Sequence, residues 1–123
     1  MNNKILLFGF TKSAIEIALK LKERGYTFSI IDNDPNLKKK KKKLGLELII
    51  VDYSDDEQLQ DQGIGDNVKF IFTLFEEDSK NVFLILSAKS IDENIHIISI
   101  THTKDAIHNL VIAGADTILA SYH

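Results

Sequence analysis

A short apolar run, Lys4-Ile5-Leu6-Leu7-Phe8, ends at Gly9 and passes almost at once into a helical pattern that starts at Lys12. A second apolar run, Ile30-Ile31, ends in Asp32, 23 residues after that glycine. Few folds accommodate this order of events. Strands that are apolar at consecutive positions are covered on both faces. A glycine at the strand end permits a tight turn, and the helix that follows presents unpaired N–H groups to an anion. A carboxylate closing the next strand then stands where a ribose lies. The layout is that of a βαβ unit that holds a dinucleotide, with an incomplete set of glycines. In the pattern G-x-G-x-x-G the second and third positions are Thr11 and Ala14. Thr11 places a β-branched side chain where a pyrophosphate presses against bare backbone, and it offers a capping hydroxyl instead. Ser13-Ala14-Ile15-Glu16 also fits a capping box.

Apolar segments recur along the whole chain with helical patterns between them. The expected strands are Lys4–Phe8, Thr27–Asp32, Leu46–Val51, Val68–Thr73, Ile95–Ile100 and Thr117–Ala120. The expected helices are Lys12–Arg24, Pro35–Leu44, Asp55–Gln62, Ser79–Ser90 and Lys104–Ala113, four of them followed by a glycine suited to a left-handed cap. Strict alternation with short links predicts an α/β fold, a Rossmann-like doubly wound parallel sheet of six strands in three αβα layers. Two helices are more apolar than one buried face requires: Val82-Phe83-Leu84-Ile85-Leu86 and Leu110-Val111-Ile112-Ala113. A helix apolar all round is covered on more than one side, which predicts a subunit contact and hence a homodimer or higher assembly.

Composition excludes several functions. There is no cysteine, so disulfides and thiolate metal sites are ruled out. No apolar run reaches the ~18 residues that would predict a membrane-spanning helix. The start, Met1-Asn2-Asn3-Lys4, lacks a signal-peptide core. Any membrane association is therefore expected to run through a partner. Lys38 to Lys43 is an unbroken run of six lysines between the start signal Asp34-Pro35-Asn36 and the stop signal Leu44-Gly45. It reads as a solvated helix whose stems lie over apolar surface. With an acidic remainder and no neighbouring aromatics, it does not predict nucleic-acid binding. Catalysis is not expected either. No insertion supplies a substrate domain, and Tyr26, Tyr53 and Tyr122 lack a lysine four residues on. The four histidines are too scattered for a metal site or a triad. A phospho-acceptor receiver domain needs paired acids after the first strand for Mg²⁺, and that place holds Phe8-Gly9-Phe10. Glu76-Glu77-Asp78 is expected to cap the helix after it.

The order of motifs resembles the N-terminal nucleotide-binding half of the regulator-of-potassium-conductance domains, the TrkA-N or KTN family, nearly end to end. Ile30-Ile31-Asp32-Asn33-Asp34-Pro35 resembles the family's second strand and turn, and Val51-Asp52-Tyr53-Ser54-Asp55 with Gly63-Ile64 its third. Asp78-x-x-Asn81 with Ala88-Lys89 resembles the helix after the fourth strand, and Ala113-Gly114-Ala115-Asp116 the approach to the last. The resemblance implies a cytoplasmic regulator, peripheral to the membrane through a potassium channel or transporter subunit. It binds NAD(H) or an adenine nucleotide (AMP, ADP or ATP) and couples the ligand to gating. By matching position, Gly9, Phe10, Thr11, Lys12 and Ser13 face the pyrophosphate, and Asp32 with Asn33 the ribose. Asp52 and Tyr53 lie at the adenine end, and Thr73 follows the fourth strand at the cleft. Asp32 favours NAD over NADP, since a carboxylate repels a 2′-phosphate. Ile100 stands where many relatives carry a polar residue at the end of the fifth strand. Thr11, Glu16 and Ile100 together favour an alternative, a dimerising scaffold with an empty cleft. The family usually continues into a C-terminal ligand subdomain. This chain stops at Ser121-Tyr122-His123, so residues 1–123 are expected to be one domain without it, a piece excised from a longer protein.

Overall fold

The computed structural model describes residues 3–41 and 45–121. Six strands form one parallel sheet: β1 (Lys4–Phe8), β2 (Phe28–Asp32), β3 (Leu48–Ile50), β4 (Val68–Thr73), β5 (His96–Thr101) and β6 (Thr117–Ala120). Their spatial order is β3-β2-β1-β4-β5-β6. The helices are α1 (Lys12–Glu23), α2 (Lys38–Lys41), α3 (Asp56–Asp61), α4 (Asp78–Ile91) and α5 (Ala106–Ala113), with a 3-10 turn at Pro35–Leu37 before α2. The chain winds outward from β1 to β3, then returns to the other side of β1 as β4. The carboxyl ends of β1 and β4 therefore diverge into a crevice at the switch point.

Consecutive residues of each central strand enter opposite cores, which is why the runs are apolar without alternation. Leu7 and Ile30 pack with Ala14 and Ala18 of α1. Leu6, Phe8, Ile31, Ile71 and Ile97 pack on the other face against Leu59, Leu84, Ile85, Ala88 and Leu110 from α3, α4 and α5. The expected Rossmann-like αβα architecture is the one observed.

The differences lie at element ends. β3 covers three residues instead of the six of Leu46–Val51, because an edge strand has a partner on one side only; its register runs from Ile30↔Leu48 to Asp32↔Ile50. β5 runs one residue past the expected Ile100 and ends at the fully buried Thr101. The sheet thus closes there on a polar residue, followed by His102. The expected helix Pro35–Leu44 opens as the 3-10 turn Pro35–Leu37 and becomes α2 only at Lys38, where the lysine run starts; residues 42–44 lie outside the described residues.

Candidate functional site

The glycine turn is built from three strand ends. Gly9 adopts φ +103 and donates its N–H to the Ile31 carbonyl at 2.8 Å. A Cβ at this position would lie 3.1 Å from both the Phe75 ring and the Phe75 nitrogen. The glycine is therefore required by the loop after β4 as well as by its own positive φ. Asp32, at the end of β2, accepts from Phe10 N at 2.8 Å with one carboxylate oxygen and from Asn33 N at 2.7 Å with the other. The acid that sequence spacing assigns to a ribose thus also fastens the turn that follows β1.

Thr11 is the N-cap of α1. Its hydroxyl donates to the Leu74 carbonyl at 2.9 Å and accepts from Ala14 N at 3.2 Å. This corrects the Ser13–Glu16 capping box: Ser13 already lies inside the helix, so Thr11 is the residue at the boundary. The first amides of a helix have no intrahelical acceptor, and the cap serves only Ala14. The N–H groups of Lys12 and Ser13 are therefore not taken by the cap, and Lys12 itself is exposed. The N-terminus of α1 follows directly on the turn that Asp32 fastens through Phe10 N, and a helix start carries partial positive charge.

The remaining predicted residues divide. Asp52, exposed beyond β3, accepts from the backbone and hydroxyl of Ser54. Those bonds hold its carboxyl below the usual range. Tyr53 is buried, its ring 5.1 Å from that of Phe75 and tilted by 44°. Burial pushes its phenol up, Lys80 opposes that shift, and Asp32 adds to it. Thr73 is fully buried and donates to the Ser99 hydroxyl at 2.7 Å, inside the sheet and away from the open crevice. Gly9, Phe10, Thr11, Lys12, Ser13, Asp32 and Asn33 are brought together; Asp52 stands on the neighbouring loop.

Spacing alone did not reveal the loop between β4 and α4. The buried Asn81 amide grips Phe75 at both backbone groups, accepting from its N–H at 2.9 Å and donating to its carbonyl at 3.1 Å; it reaches the Ile100 carbonyl at 3.4 Å. His102 Nε2 lies 3.1 Å from the same Phe75 carbonyl. A polar residue at the head of the run Val82–Leu86 was the available signal. Glu77 is the N-cap of α4 without a side-chain capping bond, while Asp78 bonds His102 N at 3.1 Å and Thr103 Oγ1 at 3.2 Å. Asp78 thus ties the start of α4 to the loop after β5, and the acidic triplet does not cap α4 through its N-cap side chain.

On the far side, Phe83 and Leu86 of α4 and Val111 and Ile112 of α5 are exposed, Ile112 at 69%. Between the two helices runs a groove of ≈ 400 Å³ lined by Val82, Leu86, Ile112 and Ala113. Only one side of each apolar helix meets the sheet. Among the described residues no helix is long and apolar enough to cross a membrane.

Comparison with known proteins agrees with this geometry. Potassium channel protein 1 of Methanocaldococcus jannaschii is 30% identical over 124 residues, covering 99% of this chain and 37% of that protein. The chain thus spans little more than a third of that relative. Among solved structures, the TrkA-N domain of inner membrane protein ybaL from Escherichia coli superimposes with a TM-score of 0.85 at 16% identity, covering 98% of this chain and 89% of that one. The GsuK channel bound to NAD gives 0.81 at 22% identity, covering 97% of this chain and 21% of that one. A sequence profile of the TrkA-N domain matches residues 5–121, so the chain belongs to the TrkA-N domain family.

Proposed function

We propose that this chain is a regulatory module of a potassium channel or potassium uptake system, binding NAD(H) or an adenine nucleotide without turning it over and passing the ligand's presence to a membrane pore. The observation that carries this reading is the convergence of Asp32 with the open amides of Lys12 and Ser13 at the switch point. Two of the carboxylate's lone-pair directions hold Phe10 and Asn33. A carboxylate accepts about four hydrogen bonds, so two directions are left for ribose hydroxyls. The amides and Lys12 suit a phosphate, and Asp52 suits an amine at the adenine end. The residues present fit the ligand. The chain's own part is to orient it: Asp32 fixes the sugar, and α1 fixes the phosphate by its dipole. The relatives named above, a potassium channel and a channel bound to NAD, support the same assignment.

The module works at the inner face of the membrane through its partner, as one Rossmann-type unit over residues 1–123. Phe83, Leu86, Val111 and Ile112 form its self-association surface, giving a homodimer or larger ring. Movement of such rigid units against one another transmits ligand state.

A second reading has its own observation. The Thr11 hydroxyl bridges Leu74 and Ala14, and the Phe75 ring rests on Gly9, so the chain's own side chains occupy part of the turn. This favours a dimerising scaffold with a closed cleft. Calorimetry with NAD⁺, NADH, AMP, ADP and ATP separates the two. Heat of binding with one of them, lost in Asp32→Ala, supports regulation; silence with all five leaves the scaffold.

A further inference from the structure

We infer that Lys80 is a second anion-facing cation of the crevice, held by Glu77 until a phosphate-bearing ligand takes the carboxylate's place. The inference rests on the nucleotide-binding reading and extends it to a residue outside the glycine turn. Lys80 lies in the first turn of α4, and its ammonium stands 5.7 Å from the centre of the Phe75 ring. That ring packs on Gly9. One aromatic side chain therefore separates the ammonium from the glycine turn, and the lysine stem is long enough to pass its edge. Its present partner is Glu77 at 3.1 Å, one helical turn back, with the two side chains 45% and 57% exposed. An exposed pair of this kind is readily exchanged. A phosphate offers the ammonium several acceptor oxygens in place of two. Glu77 foremost, with Tyr53 and Asp32 adding to it, holds the Lys80 ammonium above the ordinary lysine range; the last two are residues that the family resemblance assigns to the ligand.

The surroundings make a second cation useful. Asp32, Asp52, Glu76, Glu77 and Asp78 all stand at the carboxyl end of the sheet. Lys12 is the cation of the glycine turn itself. A ligand with two phosphates meets this acidic rim at a disadvantage unless another positive charge turns toward it.

Titration of the 123-residue chain with adenosine, AMP and ADP tests the assignment. Lys80→Met keeps the stem and removes the charge. It is expected to weaken ADP about tenfold and AMP by less, and to leave adenosine unchanged. Glu77→Gln frees the ammonium and is expected to tighten ADP about threefold. Equal ADP affinity in wild type and Lys80→Met overturns the inference while leaving nucleotide binding intact, as does an equal loss for adenosine. A wild-type chain silent toward all three overturns the inference, and silence toward NAD⁺, NADH and ATP as well overturns the nucleotide-binding reading.

Discussion

The glycine turn and the α4–α5 face are built on opposite principles. At the turn, polar groups are paired across elements: Asp32 with Phe10, Thr11 with Leu74 and Ala14, and Asn81 with Phe75. On the α4–α5 face, Phe83, Leu86, Val111 and Ile112 stand in solvent around a groove, although the sheet already has its cover. The first region is ordered by the chain itself. The second carries apolar surface beyond what the fold uses, the surface proposed above for self-association.

The sharpest way to break this contrast is Asn81→Ala. Removing the amide leaves the buried Phe75 N–H without a partner, and a loss of about 2 kcal/mol in urea unfolding is expected; a loss near zero would mean the loop is held by other means. Gly9→Ala follows, at about 2 kcal/mol, from the strain of φ +103 and the approach of Phe75. Thr11→Ala should cost about 1 kcal/mol, the ordinary value of an N-cap.

The opposite face should answer differently. Ile112→Asp is expected to shift unfolding by less than about 0.5 kcal/mol, since the side chain is already exposed. It is nonetheless expected to abolish self-association in sedimentation. A wild-type chain that stays monomeric at high concentration would remove that face from consideration.

The smallest effect is electrostatic. Asp52 has its carboxyl lowered from the ordinary 3.8 by Ser54. Its contribution to stability is present above that ordinary value and fades as pH falls through the lowered one. Ser54→Ala should move the Asp52 midpoint upward in an NMR titration; an unchanged midpoint would assign the shift elsewhere.

Much of this was legible before folding was considered. The interior runs Leu6–Phe8, Ile30–Ile31 and Ile97–Ile98 announce strands buried on both sides, and Gly9 with Asp32 announces the crevice. The errors fell where competing signals were local. Ser13–Glu16 matched a capping box, yet Thr11, two residues earlier, could reach Leu74 across the crevice and took the cap. Ile100 read as the end of β5, yet pairing of Thr101 with Ala120 on β6 carried the strand one residue further.

The sequence by itself determined the doubly wound sheet, because periodicity and turn chemistry act between near neighbours and leave few alternatives. Only the tertiary structure decided which polar groups meet. Asn81 reaches Phe75 and Ile100, and Thr11 reaches Leu74, because strands far apart in the chain end at the same edge of the sheet. Hydrogen bonds depend on separations of a few tenths of an ångström, and no spacing along the chain encodes those.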